Sequence, residues 1–235
     1  MTQSNEYIGN ELELFKNALN WKKYFSNKIS KYIQGDILEI GAGIAVNSKY
    51  LINKKVKSIT SVEPDTALFN SIELNQKEIS LETKKIINGT LQDVNQKYDT
   101  IIYIDVLEHI EDSSNEIQLA SEKLNKNGHL IILVPAYNFL FSEFDKSIGH
   151  FRRYDKKMLR QEVNNKLEEK EIYYLDSMGF FASLANKLIL KKETPNNSNI
   201  VLWDKFLVPI SKITDPLFFN TFGKSLIGVY KKSEL

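Results

Sequence analysis

The chain has 235 residues, enough for one domain with a large core and a small cap but short for two full domains. Its 31 Lys and Arg balance 30 Asp and Glu, so charge singles out neither nucleic acid nor an acidic membrane as a partner. There is no cysteine, which excludes disulfides, thiolate metal sites and cysteine nucleophiles and fits a reducing compartment.

The start, Met1 to Glu6, lacks a basic stretch followed by an apolar run, so no signal peptide is expected and the expected location is the cytoplasm. From Glu11 to Ile33, Leu12, Phe15, Leu19, Trp21, Tyr24, Phe25 and Ile29 recur at broadly helical spacing. A helical lid segment over residues 1–34 is therefore expected ahead of the first strand. Asp36 to Ile40 reads as strand one, and a helix begins at Val46. Ser58 to Val62 is strand two, followed by a helix to about Gln76, and Lys85 to Ile87 is a short strand three. Tyr98 to Ile104 reads as a fully buried strand four. A helix from about Ser113 to Leu124 stops at Lys126-Asn127-Gly128, and His129 to Val134 is strand five.

After Pro135 the alternation breaks. Residues 136–154 form a long polar and aromatic connection, a length that is usually functional in a compact domain. A helix from about Lys156 to Lys166, a strand near Glu171 to Leu175 and a final strand at Leu226 to Tyr230 follow. Between the last two strands lies an irregular region, about 179–222, whose Thr194 to Asn199 stretch is a surface loop by composition. The most apolar window, Ile172 to Leu190, holds Asp176, Asn186 and Lys187 and reads as a strand and an amphipathic helix rather than a membrane span.

Alternating strands and helices imply parallel pairing with right-handed crossovers, and ligands in such sheets bind at the carboxyl ends of the strands. That rule gathers four sequence features on one edge. Glu39-x-Gly41-x-Gly43 follows strand one, and its glycines let backbone N–H groups approach a ligand. Val46 stands where a dinucleotide fingerprint needs its third glycine, and an anion at position 39 suits a cationic ligand better than a pyrophosphate. Glu63, ending strand two, can accept two charge-assisted hydrogen bonds from vicinal ribose hydroxyls, a device NAD enzymes share. The turn Asn88 to Leu91 follows strand three, and Asp105 follows strand four.

Taken together, Glu39-x-Gly41-x-Gly43, Glu63-Pro64-Asp65, Gly89-Thr90, Asp105 to Ile110, Asn127-Gly128 and Pro135 resemble the class I S-adenosylmethionine (SAM) methyltransferases over roughly residues 35–135. The resemblance implies a Rossmann-like, seven-stranded, mostly parallel α/β sheet with one antiparallel strand, helices on both faces and a small substrate cap. It implies SAM as cofactor and S-adenosylhomocysteine (SAH) as product. Glu39, Gly41, Ala42, Gly43, Glu63, Pro64, Thr90, Leu91, Asp105, Val106 and His109 become the expected cofactor residues. Glu39 is expected at the methionine ammonium, directly or through water. Thr90 stands where the family often has Asp, with Asp93 as the alternative carboxylate.

Outside that stretch, Asn20-Trp21, Leu107-Glu108-His109-Ile110, Phe141-Ser142-x-Phe144-Asp145, Gly149-His150-Phe151-Arg152-Arg153-Tyr154 and Gly223-Lys224-Ser225 resemble a narrower bacterial branch. Relatives of this kind often accompany polysaccharide and lipid-carrier glycan synthesis. Gly223-Lys224-Ser225 is not a phosphate loop, because no G-x-x-x-x-G-K-S/T precedes it.

Methyl transfer needs the acceptor atom in line with the sulfonium carbon, and an oxygen or ammonium acceptor must lose a proton. His150 is the expected general base, with Asp145 fixing its tautomer. Arg152, Arg153 and Tyr154 are expected to meet the substrate, as are Tyr7, Trp21 and Tyr137, which with Phe141 would form an aromatic lid. The same loop could equally be a structural network, with Arg pairing to Asp. The expected domain runs over 35–235, with cap insertions at about 136–154 and 179–222. The expected acceptor is a small or carrier-linked molecule, with a sugar or glycan oxygen foremost. Rival readings are an NAD(P)-dependent oxidoreductase and a SAM-binding partner protein without catalysis. Nucleic acid is disfavoured, no metal-ligand set is visible, peripheral membrane contact stays open, and either a monomer or a homodimer is allowed.

Overall fold

In a computed structural model that describes residues 11–164, 167–190 and 196–233, hydrophobic alternation along each strand decides the layers. The chain opens with two short helices, α1 (Glu11–Phe15) and α2 (Leu19–Ile29). The first half of the sheet follows as β1 (Gly35–Ile40), α3 (Ser48–Leu51), β2 (Val56–Glu63), α4 (Thr66–Gln76), β3 (Thr83–Asn88) and β4 (Tyr98–Ile104). Next come α5 (Ser113–Glu122), β5 (Leu124–Pro135), α6 (Glu143–Ser147), α7 (Lys156–Val163) and β6 (Glu168–Leu175). The cap helices α8 (Ser177–Ala185), α9 (Asn197–Leu202) and α10 (Val208–Leu217) precede β7 (Ser225–Lys231).

The seven strands lie in the order β3-β2-β1-β4-β5-β7-β6. β7 is antiparallel to both neighbours, and the pairs from β3 through β5 are parallel, as the resemblance implies. Because successive side chains point to opposite faces, Ile101 and Tyr103 of β4 join one core while Ile102 and Ile104 join the other. β5 divides likewise, with Leu130, Ile132 and Val134 on the first face and Ile131 and Leu133 on the second. Covered by helices on both faces, these strands read as continuous apolar runs.

The first core takes Ile117 and Ala120 of α5 and Leu159 and Val163 of α7. The second takes Trp21, Phe25 and Ile29 of α2 together with Trp203 and Val208 of the cap. The amino-terminal helices thus share a core with the sheet. They are two helices rather than one, because the chain turns at residues 16–18. α2 has no side-chain cap of its own at Ala18, and Asp204 of the cap replaces it by accepting from the Asn20 and Trp21 amides at 3.2 and 2.9 Å.

A second aspartate junction fixes the cap. Asp215 accepts from the Asp176 and Ser177 amides at 2.7 and 2.8 Å and from the Tyr24 hydroxyl at 2.9 Å. Asp176, in a left-handed conformation at φ 67°, accepts from Trp203 Nε1 at 2.7 Å and Ser211 Oγ at 2.8 Å. Sequence reading placed the α5 stop at Asn127-Gly128, whereas α5 ends at Glu122 and β5 already begins at Leu124. The helix from Lys156 ends at Val163 with Asn164 left-handed, and the rest of its expected span lies outside the described residues. Of the expected Thr194 to Asn199 loop, residues 194 and 195 lie outside the described residues, while Asn196 caps α9 and Asn197 to Asn199 are its first turn, because the Asn196 side chain accepts from the Asn199 amide.

Candidate functional site

The carboxyl ends of β1, β2 and β4 open into a cavity of about 1130 Å³, which also reaches β3's turn, the 136–154 loop and the cap. That volume exceeds the roughly 300–1,000 Å³ of a typical single-ligand pocket, so it has room for more than one ligand.

At the β1 edge the turn is made by left-handed residues, Gly41 at φ 62°, Gly43 at φ 57° and Ala45 at φ 58°. A Cβ on Gly41 would come within 2.6 Å of Val106 Cγ2, so the glycine is needed both for conformation and for close approach. The Gly43 amide donates to Glu63 Oε2 at 2.7 Å, and the Asp65 amide donates to Oε1 at 3.0 Å. Burial pushes the Glu63 carboxyl up against these two hydrogen bonds. Each of its oxygens keeps a further acceptor direction toward the cavity.

Gly41, Ala42, Gly43, Glu63, Pro64, Thr90, Leu91, Asp105, Val106 and His109 all line the cavity. Glu39 does not. It lies buried beneath the turn, where Ser48 Oγ and Ser61 Oγ donate to its carboxylate, so it fastens α3 and β2 under the glycines. Burial pushes its carboxyl up to about 7, opposed by the two serine hydrogen bonds. Alternation along β1 explains the placement, since Glu39 points to the sheet face opposite Leu38 and Ile40. Asp93 is also structural. It accepts from the Thr90 amide at 2.8 Å and closes a capping box, and it does not line the cavity.

Asp105, at the end of β4, is a further carboxylate on the cavity wall. It holds a left-handed φ of 53°, and its amide is tied to Leu133 O at 2.9 Å. Its side chain is exposed and lines the cavity, and desolvation by the surrounding protein pushes its carboxyl up to about 6 against the pull of His150, Lys224, Arg153 and Lys22. Lys22 and Lys224 are lining cations that sequence reading missed. Burial lowers Lys22 to about 8 despite Asp204 and Asp105, and it also lowers Lys224, which sits 4.7 Å over the Trp203 ring. Their signal was weak, because α2 carries other lysines on its exposed side and Lys224 lies some 120 residues from Asp105.

The 136–154 loop leaves β5 and returns to it. The Tyr137 amide donates to Tyr154 O at 2.7 Å, and the Tyr154 amide donates to Pro135 O at 2.8 Å. Inside the loop, buried Asp145 accepts from Ser142, from His150 Nδ1 at 2.9 Å and from Arg153 Nε and a terminal nitrogen at 2.8 and 2.9 Å. Burial alone would raise the Asp145 carboxyl, but the His150 and Arg153 hydrogen bonds hold it well below the usual carboxylate range. His150 and Arg153 therefore present fixed faces to the cavity they both line.

Three expected substrate residues are elsewhere. Arg152 turns outward and donates to Ser113 Oγ at 2.8 Å and Glu111 O at 2.6 Å, which pins the start of α5. Tyr154 is fully buried with its hydroxyl on Leu107 O at 3.2 Å. Tyr137 stacks on Tyr174 at 4.8 Å, and none of the three is part of the cavity wall. Adjacent residues of an extended loop point in opposite directions, so only one of the two arginines can face inward. Trp21 and Phe141 do line the cavity, and Tyr7 lies outside the described residues.

Glu108, also missed, is fully buried, and neither carboxylate oxygen has a hydrogen-bond partner from another residue. His109 and His150 stand over it edge to face, with ring centroids 4.5 Å apart and planes at 84°. Burial lowers His109 to about 4, and the neighbouring His150 adds to that. The cluster joins residues about 40 positions apart, which no local spacing reveals.

A family model described as a methyltransferase domain matches residues 13–178. No protein of curated function matches the chain. Among solved structures, one from the complex between the Haloferax volcanii Trm112 methyltransferase activator and a methyltransferase is 11% identical, with TM-score 0.66, over 96% of this chain and 95% of that one. An S-adenosylmethionine-dependent methyltransferase from Clostridium acetobutylicum is 12% identical, with TM-score 0.58, over 92% of each chain. The [4+2]-cyclase SpnF is 12% identical, with TM-score 0.63, over 99% of this chain and 97% of that one. At such identities the likeness speaks for the fold, and the presence of a cyclase among the neighbours means that fold alone does not choose the reaction.

Proposed function

We propose that this chain, which belongs to the methyltransferase domain family and is a SAM-dependent methyltransferase, delivers its methyl group to an oxygen of a small or carrier-linked acceptor, a sugar or glycan hydroxyl. In this reading Glu63 receives the ribose hydroxyls, and Thr90 and Leu91 meet the adenine. Asp105 takes the methionine ammonium in place of Glu39, and Lys22 takes the methionine carboxylate. The segment 1–34, which contributes α1 and α2, acts as a lid on a catalytic domain over 35–235, with 136–154 and the cap closing the acceptor side.

The observation that supports an acceptor that loses a proton, a hydroxyl foremost, is the Glu108, His109 and His150 cluster on the cavity wall. A hydroxyl must lose its proton as the O–CH3 bond forms, and these groups stand where that proton can be taken. The sulfonium is already a good leaving group, so the remaining demand on the protein is alignment and proton removal. His150, oriented by Asp145, is the expected base.

A carrier-linked acceptor is supported by the surface beside the cavity. Leu188, Leu202, Phe206, Ile213, Leu217 and Phe219 are exposed on the cap segments, an unusual set for a surface bathed only in water. No helix of the described residues is long and apolar enough to cross a membrane. The setting in glycan synthesis, the bacterial branch and a cytoplasmic location belong to the same proposal.

The test is incubation of the purified chain with methyl-labelled SAM and fractionated glycans, free and lipid-linked, with products read by mass spectrometry. The reading expects label in a base-stable methyl ether. Label in an N-methyl or ester product instead overturns the oxygen assignment.

A further inference from the structure

We propose that Glu108, His109 and His150 form a binding site for a divalent first-row transition metal, with zinc the ion this donor set fits. One ligand atom from each residue lies within 4.8 Å of the others. Two imidazoles and a carboxylate are a recognised three-ligand set for zinc with an open position, and the same set suits other first-row ions.

The geometry goes beyond proximity. Metal-bound histidines characteristically donate their other ring nitrogen to a carboxylate or a backbone carbonyl, which fixes the ring and its tautomer. Both histidines here are held in that manner: His150 Nδ1 meets Asp145 at 2.9 Å, and His109 is hydrogen-bonded to the Gly149 backbone. His150 Nε2 then lies 3.9 Å from Glu108 Oε1. That is too long for a hydrogen bond but short enough for one ion to bridge with bonds of about 2.0–2.2 Å. The right-angled rings, with centroids 4.5 Å apart, match two imidazoles directed at neighbouring positions of one ion.

Glu108 supplies an independent observation. A fully buried carboxyl with no partner from another residue is held toward its neutral form by desolvation, and it ionises at a cost of several kcal/mol unless a cation meets it, which is what a bound metal ion supplies. Arg153 gives its Nε and one terminal nitrogen to Asp145, and although its charge reaches Glu108, its remaining nitrogen Nη1 makes no hydrogen bond to that carboxyl. A bound cation gives Glu108 its counter-charge and uses the two imidazoles above it.

All three residues line the cavity, so coordination positions not taken by protein face the acceptor space. The consequence for chemistry rests on the oxygen-acceptor reading above. A cation there lowers the pKa of a hydroxyl held beside it. The proton leaves to cavity water, and the oxygen bonds to the methyl carbon. The carbon–sulfur bond breaks with its electron pair remaining on sulfur as neutral SAH. With the ion bound, His150 serves as its ligand and the acidified hydroxyl gives up its proton without His150, which is the base only in the metal-free chain.

The experiment uses the full chain, stripped with a chelator and titrated with Co2+ alone, followed by visible absorption and by metal content. SAH titration of the stripped chain serves as the check that it is folded. One Co2+ per chain is expected, with d–d bands that Zn2+ abolishes by displacement. Glu108→Gln and His109→Gln should each weaken Co2+ binding at least about 10-fold while the far-ultraviolet circular dichroism and thermal midpoint stay those of the natural chain. Absence of a Co2+ spectrum in the folded chain, or an unchanged spectrum in both variants, overturns the site. If the stripped chain still forms a methyl ether at full rate, the metal proposal fails while the oxygen-acceptor reading stands. If Co2+ binds as expected but the product carries N-methyl, the site stands and that reading fails.

Discussion

The Gly43 amide and the Glu63 carboxylate, 20 residues apart, are joined by a hydrogen bond of 2.7 Å across the mouth of the cavity. This contact ties the glycine turn to the end of β2, joining two edges of the cavity wall. It also fixes a carboxylate whose remaining lone pairs face inward, the pre-organisation that ribose recognition needs.

Glu63→Gln keeps an oxygen for the Gly43 amide but removes the charge. Hydrogen bonds to a charged group contribute about 1.5–3 kcal/mol each, so SAH affinity should fall about 10- to 100-fold by calorimetry. The thermal midpoint should change little, because the turn contact survives.

Gly41→Ala places a side chain at φ 62° and 2.6 Å from Val106 Cγ2. The left-handed backbone costs about 1–2 kcal/mol, and the clash adds to it. Val106→Ala in the same chain should recover the steric part only, as read from urea unfolding. Gly223→Ala has no such rescue, since its Cβ would meet the backbone oxygen of Leu175 at 2.1 Å.

Glu39 titrates with a predictable sign. Its folded pKa of about 7 lies above the ordinary 4.5, so the folded state binds the proton more tightly than the unfolded state between those values. Stability from this group is therefore full below about pH 4.5 and is lost as pH rises through 7. Glu39→Gln should gain on the natural chain by at most about 3 kcal/mol between pH 4.5 and 8, measured by urea unfolding. A difference that does not vary with pH would show that Glu39 is not buried as a free carboxyl.

The two adjacent arginines should separate cleanly. Asp145→Ala leaves Arg153 buried without its partner and should cost about 3–5 kcal/mol, visible in the thermal midpoint. Arg152→Ala removes only an outward tie to α5 and should leave kcat/KM for the acceptor within about 2-fold.

The sheet and the glycine turn were legible because period-2 apolar runs and the Glu39-x-Gly41-x-Gly43 and Glu63 spacings are local signals. What escaped was assembled by the tertiary fold. Glu39 looks like a cofactor contact in the sequence, yet strand alternation turns it beneath the glycine turn and leaves Asp105 on the cavity wall. Arg152, Arg153 and Tyr154 looked equivalent, and the excursion from β5 directs only Arg153 inward. Glu108 read as part of a short turn, while its meeting with His150 depends on how that excursion returns. The cap's grip on α2 through Asp204 likewise has no signature in either segment alone.

The central claim is that SAM occupies this cavity with Glu63 at its ribose and Asp105 at its ammonium. Calorimetric titration of SAH and of NADH into the chain, and into its Glu63→Gln and Asp105→Asn variants, tests it most directly. The account predicts one SAH per chain, no heat from NADH, and affinity reduced at least about 10-fold in each variant. Binding of NADH in place of SAH, or SAH affinity untouched by both substitutions, would contradict it.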